Sequence, residues 1–275
     1  MKTVLAALFQ TILDLCTGAN WGVPDLLQIT DNEINIARTM YKYFMVIGIG
    51  MTIVYFIMEM NKQYALQARD LNIKTVGVPF LKLLASIAVL SQGSKIIGWI
   101  LSFNNSLVKY AQTNFTMTGS GKGLADLTDK IPSGDNIVNA LSFMNLLVLL
   151  IPALICWLIG VIVGLVFKYK AYAYKIEVIF RTGIAPIALG DVYSGENSTA
   201  VKFIKRFLAL GLYAMAFVVV VNIGASMIGA DFLEGLTSGD TWKILGGILN
   251  CFVVPFAELG ALGVAKQACN EVLGV

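Results

Sequence analysis

The sequence predicts an all-α, polytopic membrane protein with about five transmembrane helices, an N-terminal amphipathic helix and a cytoplasmic helical hairpin. Three observations predict it. Of 275 residues, 57% are hydrophobic and only 13% are charged, about half the charge of a soluble domain. The apolar residues gather into five runs of membrane-spanning length. The basic residues gather into two of the segments between those runs. The mean hydropathy of +0.76 is too high for a soluble fold of this size to hide. It also excludes intrinsic disorder, which needs low hydrophobicity and high charge.

A helix needs about 20 apolar residues to cross roughly 30 Å of hydrocarbon. Residues 43–60 and 78–101 give the first two spans, the second being the more polar. Residues 138–167 give the third, around the core LLVLLIPALICWLIGVIVGLVF. Residues 207–229 and 245–265 give the fourth and fifth. The chain therefore reads as one membrane domain over 1–275.

Lys and Arg set the orientation, because basic loops stay in the cytoplasm. Segment 168–206 holds Lys168, Lys170, Lys175, Arg181, Lys202, Lys205 and Arg206, and segment 61–77 holds Lys62, Arg69 and Lys74. Both are assigned to the inside. Segments 102–137 and 230–244 then face outward, the first as a turn-rich loop. The N-terminus lies outside, and the tail 266–275 lies inside.

The N-terminal segment 1–40 opens with MKTVLAALFQTILDLC. Asp14 interrupts its apolar stretch and no small-residue cleavage site follows, which favours an amphipathic helix lying on the membrane over a secretory signal. The stretch KYKAYAYKIEVIFRTGIAPIALGDVY, from Lys168, extends the third span into the cytoplasm. It is expected to break at Gly183, Pro186 and Gly190 into an interfacial hairpin.

Little in the sequence supports chemistry. There is no His, hence no imidazole base or metal ligand. The four cysteines, with no CxxC, give no disulfide framework: Cys16 and Cys269 fall on opposite faces of the membrane. GSGKG at 119–123 lacks the preceding glycine and the following Ser or Thr of a phosphate loop. No cofactor and no metal are expected, and the protein is expected not to be an enzyme.

Ionisable and amide groups within spans are costly and often functional. The candidates are Lys95, Asn222, Asn250 and Glu258, the last three residues after Pro255. They line a translocation path, pair between helices, or serve packing alone. Gly160 and Gly164 form a GxxxG on the third span, which permits close helix approach.

Within 168–223 the pattern becomes recognisable. A long basic helix leads into RTGIAPIALGDVYSGENSTAVKFIKRFLALGLYAMAFVVVV. An Arg precedes a short Gly/Pro-containing apolar stretch, then a small polar loop, then a basic start to the next span. This resembles the polytopic inner-membrane subunit of type IV secretion and conjugation machines, the TrbL and VirB-six family. The resemblance covers most of the chain as architecture and about 40 residues as pattern.

The resemblance implies a structural subunit of a DNA or protein translocation channel in a bacterial cytoplasmic membrane. It implies a homo-oligomer in contact with membrane lipid, with other secretion-system subunits including the ATPases, and transiently with the translocated DNA or protein. The matching positions, Arg181, Pro186, Gly190 and Asp191, are then the expected partner contacts. A small transporter or permease subunit and a holin-like pore former remain the alternatives.

Overall fold

The computed structural model describes residues 23–66, 73–114, 143–191, 198–238 and 241–274. Among the described residues every regular element is a helix: α1 (Val23–Leu27), α2 (Asp31–Leu66), α3 (Ile73–Asn114), α4 (Phe143–Leu189), α5 (Thr199–Ser238) and α6 (Thr241–Val272). Five of them are long and apolar enough to cross a membrane. Helices suit that setting because each satisfies its backbone polar groups within itself. The chain is an all-α polytopic membrane protein. Of the N-terminal segment 1–40, the amphipathic stretch MKTVLAALFQTILDLC, with Cys16, lies outside the described residues, and residues 31–40 belong to α2.

Local chemistry sets several boundaries. At the start of α2 the Thr30 N–H donates to Glu33 Oε2 at 2.7 Å, and the Ile34 N–H donates to the Thr30 carbonyl. This is half of a capping box, and it starts the helix twelve residues before the apolar run. At the start of α5, Ser198 Oγ accepts from the Val201 N–H at 3.2 Å, as an N-cap does.

Three expectations are corrected. Residues 102–114, assigned to an outward loop, are helical and complete α3. The segment 230–244 is helical except at 239–240, which lie outside the described residues. The break expected at Gly183 and Pro186 does not occur, for α4 continues to Leu189. Pro186 falls in the last turn. The amide it lacks costs one hydrogen bond to the Thr182 carbonyl, and the Gly190 N–H still closes on the Pro186 carbonyl at 3.0 Å.

The chain forms two compact units. The first is drawn from residues 1–28, 106–173 and 213–267. Its core includes Ala153, Cys156, Phe167, Phe217, Ile248 and Leu262, all buried. Cys156 Sγ donates to the Ile248 carbonyl at 3.4 Å, which makes it a buried structural thiol.

The second unit is drawn from 29–105, 174–212 and 268–275. In it α2 and α3 run antiparallel. Asn105 bonds both the N–H and the carbonyl of Ile29, each at 2.9 Å, and the Tyr41 hydroxyl donates to the Leu90 carbonyl at 2.8 Å. The end of α4 runs parallel to α2, with Lys175 on Glu33 at 3.0 Å and Gly190 on Thr52. The start of α5 turns back, bringing Gly211 to Asn104.

Candidate functional site

The four residues singled out by the hairpin pattern all lie in the second unit, where α4 turns into α5. Gly48 of α2 allows the approach. A Cβ there would stand 2.5 Å from the Pro186 carbonyl oxygen, closer than any side chain tolerates. One turn on, Thr52 Oγ1 donates to the Gly190 carbonyl at 3.3 Å and to its own helix at Gly48 at 2.9 Å. Asp191 is 6% exposed, and its Oδ2 accepts from the Thr199 N–H at 3.0 Å. An anion at a helix start meets the positive end of the helix dipole and an otherwise orphaned amide.

This geometry corrects the expected partner surface. Pro186, Gly190 and Asp191 are buried and hold the turn from within. Arg181 keeps a partly exposed side chain, 31%, and bonds Glu177 at 2.6 Å one helical turn earlier. Arg181 and Asp191 take different partners: the side chain of α4's own preceding turn, and the first amide of α5.

The position of the turn is a second correction. Thr52 lies near the centre of the apolar run 43–60. Its bond to Gly190 sets the α4–α5 turn level with the middle of that run, not at its end. Gly183 likewise lies against Met40.

The four intramembrane polar candidates separate. Glu258 is 8% exposed and sits on α6 against Gly224 of α5. A Cβ at Gly224 would overlap the Glu258 carboxylate. Glu258 is thus a space-filling side chain whose seat is a glycine. Asn222 and Asn250 are half-buried, and both have interaction partners. Lys95 is exposed on α3. On α4, Gly164 is buried and Gly160 half-buried.

Two groups escaped the sequence reading. Lys175 and Glu33 form an ion pair with side chains only 10% and 24% exposed. The T-x-x-E spacing at Thr30–Glu33 signals the helix start, but nothing local signals a Lys 142 residues away. Asn104, 4% exposed, donates to the Tyr174 hydroxyl. Among the described residues its Oδ1 has no partner; it faces Gly211, beside a pocket lined by Ile100, Phe103 and Phe207.

The fold and this site define a polytopic helical membrane protein with a buried helix-to-helix junction. No protein-family model, no curated protein and no solved structure matches the chain.

Proposed function

We propose that the protein is an integral-membrane structural subunit of a type IV secretion or conjugative transfer channel in a bacterial cytoplasmic membrane. Several copies assemble around the translocation path of DNA or protein. The ATPases of the machine supply the energy, and this subunit performs no bond chemistry and needs no cofactor.

The observation that carries the reading is the α4–α5 junction. The stretch that resembles the TrbL and VirB-six pattern, from Arg181 through the basic start of the next span, coincides with the residues this junction packs and caps. A turn packed and capped in this way suits a subunit that holds two long helices together. Arg181, partly exposed beside it, is the residue left for a partner or a lipid phosphate.

The test is transfer by donor cells in which the gene is deleted and then restored. Restoration of the wild-type chain recovers transfer. Arg181→Ala keeps normal protein level and membrane insertion but loses transfer. Full transfer by the deletion strain would end the reading. A small transporter is the second reading, favoured by the buried Glu258 carboxyl on α6. Substrate uptake by the purified protein alone in liposomes would establish it.

A further inference from the structure

A polar side chain inside a helix bundle must be answered by another polar group. Asn104 is 4% exposed on α3, and half of its amide is answered. Its Nδ2 donates to the Tyr174 hydroxyl of α4. Its Oδ1, among the described residues, has no partner. That oxygen faces Gly211 of α5, where a Cβ would stand 3.2 Å away. The side chain that Gly211 lacks is what keeps the oxygen uncovered. An acceptor buried without a donor is costly, so a donor that reaches it is favoured.

The oxygen borders a small cavity in the second unit, bounded by α3, α4 and α5. The cavity measures about 10 Å³, close to the room that one water-sized oxygen needs. Asn104 and Tyr174 are the only polar side chains of its described wall. Ile100 and Phe103 of α3, Val178 of α4, and Phe207, Leu208 and Leu210 of α5 complete that wall with hydrocarbon. Phe103 is 54% exposed, so one wall of the cavity stands at the surface.

The chemistry of the wall narrows what answers the oxygen. A carbonyl or carboxylate has no proton to donate. An ammonium ion would bring a charge into a wall whose described residues include no Asp or Glu, an uncompensated burial. Water has two O–H donors and needs about two to four polar partners. The backbone here is already paired along its own helices, so one O–H of a water would point at carbon. An alcohol brings one O–H to one unpaired acceptor and lays its carbon chain on the apolar wall. Turning the Asn104 amide end for end would present its NH2 to the cavity instead, and a hydroxyl, which also accepts, answers that too.

We infer that this cavity binds the hydroxyl group of a membrane-soluble alcohol, a molecule with one hydroxyl on an apolar chain. The hydroxyl donates to Asn104 Oδ1, and the chain lies against Phe103 and Phe207. A bound alcohol touches α4 before the turn and α5 after it, and ties both to α3. The inference does not depend on the secretion reading.

The experiment uses the full chain in phosphatidylcholine nanodiscs, whose lipid carries no hydroxyl. The probe is an octanol with a diazirine on its chain, activated by light, and the modified residues are read by mass spectrometry. The wild-type chain is labelled on the cavity wall, at Phe103, Tyr174 or Phe207. Excess octanol removes that labelling. Octane at the same membrane concentration, equal in length but without the hydroxyl, leaves it in place. Asn104→Leu keeps the number of side-chain heavy atoms but removes the acceptor, and lowers labelling about tenfold, the worth of one hydrogen bond. Gly211→Ala sets a methyl beside Oδ1 and lowers labelling likewise. Both variants elute from gel filtration as the wild type does, and the octane comparison needs the wild-type chain alone. Displacement by octane equal to that by octanol would make the cavity a merely apolar crevice. Labelling absent from the wall would leave the cavity to a single water. Either result, or unchanged labelling in a folded Asn104→Leu chain, would overturn the inference.

Discussion

Two buried acids, one in each unit, are held in opposite ways. Asp191 is bonded: its carboxylate accepts the first amide of α5 at 3.0 Å, and its value lies in that hydrogen bond and in the helix dipole. Glu258 is seated: it occupies the space that Gly224 leaves empty. Changing the chemistry of the side chain should therefore matter at Asp191, and changing the space should matter at Glu258.

The largest effect is expected at Gly224. Gly224→Leu puts a side chain where the Glu258 carboxylate stands, and overpacking of this kind costs up to about 3 kcal/mol. The variant should aggregate on gel filtration of a fluorescent fusion in detergent, and Glu258→Ala in the same chain should restore a monodisperse peak. Failure of that rescue would show that the seat is not steric. Glu258→Gln, which preserves volume, should leave the profile unchanged.

Next comes the ion pair in the second unit. Lys175→Met leaves Glu33 partly buried with only its Thr30 bond, at a cost of roughly 2 kcal/mol in thermal stability. Adding Glu33→Leu should recover most of the loss, and a double variant no better than the single would mean that Lys175 packs rather than pairs. Asp191→Ala should then lower stability by about 1 kcal/mol, the usual worth of a helix-start acceptor. Asp191→Asn should lose less, since the amide oxygen still accepts. Equal losses in the two would argue against the cap. The smallest effect belongs to Arg181→Ala. Its half-exposed pair with Glu177 is worth under about 1 kcal/mol, so an unchanged melting midpoint is expected alongside the loss of transfer. The charge-reversed combination of Arg181→Asp with Asp191→Arg should not recover transfer, because each residue has its own partner.

The parts of this architecture that follow composition were legible in the sequence. Five apolar runs became five long helices, because lipid leaves a spanning backbone few other forms. Helix ends were legible only where the cap is local. Ser198 and the Thr30–Glu33 spacing carry their own signal, whereas the continuation of α4 through Gly183 and Pro186 depends on packing against Met40 and Gly48. Residues 102–114 read as loop because Asn104 and Asn105 open the turn-rich segment 102–137, with its TMTGSGKG and Pro132–Gly134. In the fold Asn104 donates to the Tyr174 hydroxyl and Asn105 bonds the Ile29 backbone. The level of Lys95 was not legible at all. Counting basic residues by segment puts it near the outer end of a span, and only the contact of Gly211 with Asn104 puts it level with Lys202.

That register is the claim most directly open to measurement. Single cysteines at Lys62, Lys95 and Lys202, each in an otherwise cysteine-free chain, are labelled with a membrane-impermeant maleimide in intact and in permeabilised cells. The structure predicts that Lys95→Cys and Lys202→Cys label together from one face, and that Lys62→Cys labels from the other. The loop-charge reading predicts that Lys62→Cys labels with Lys202→Cys, and Lys95→Cys opposite to both. That second pattern would contradict the register of α2, α3 and α5.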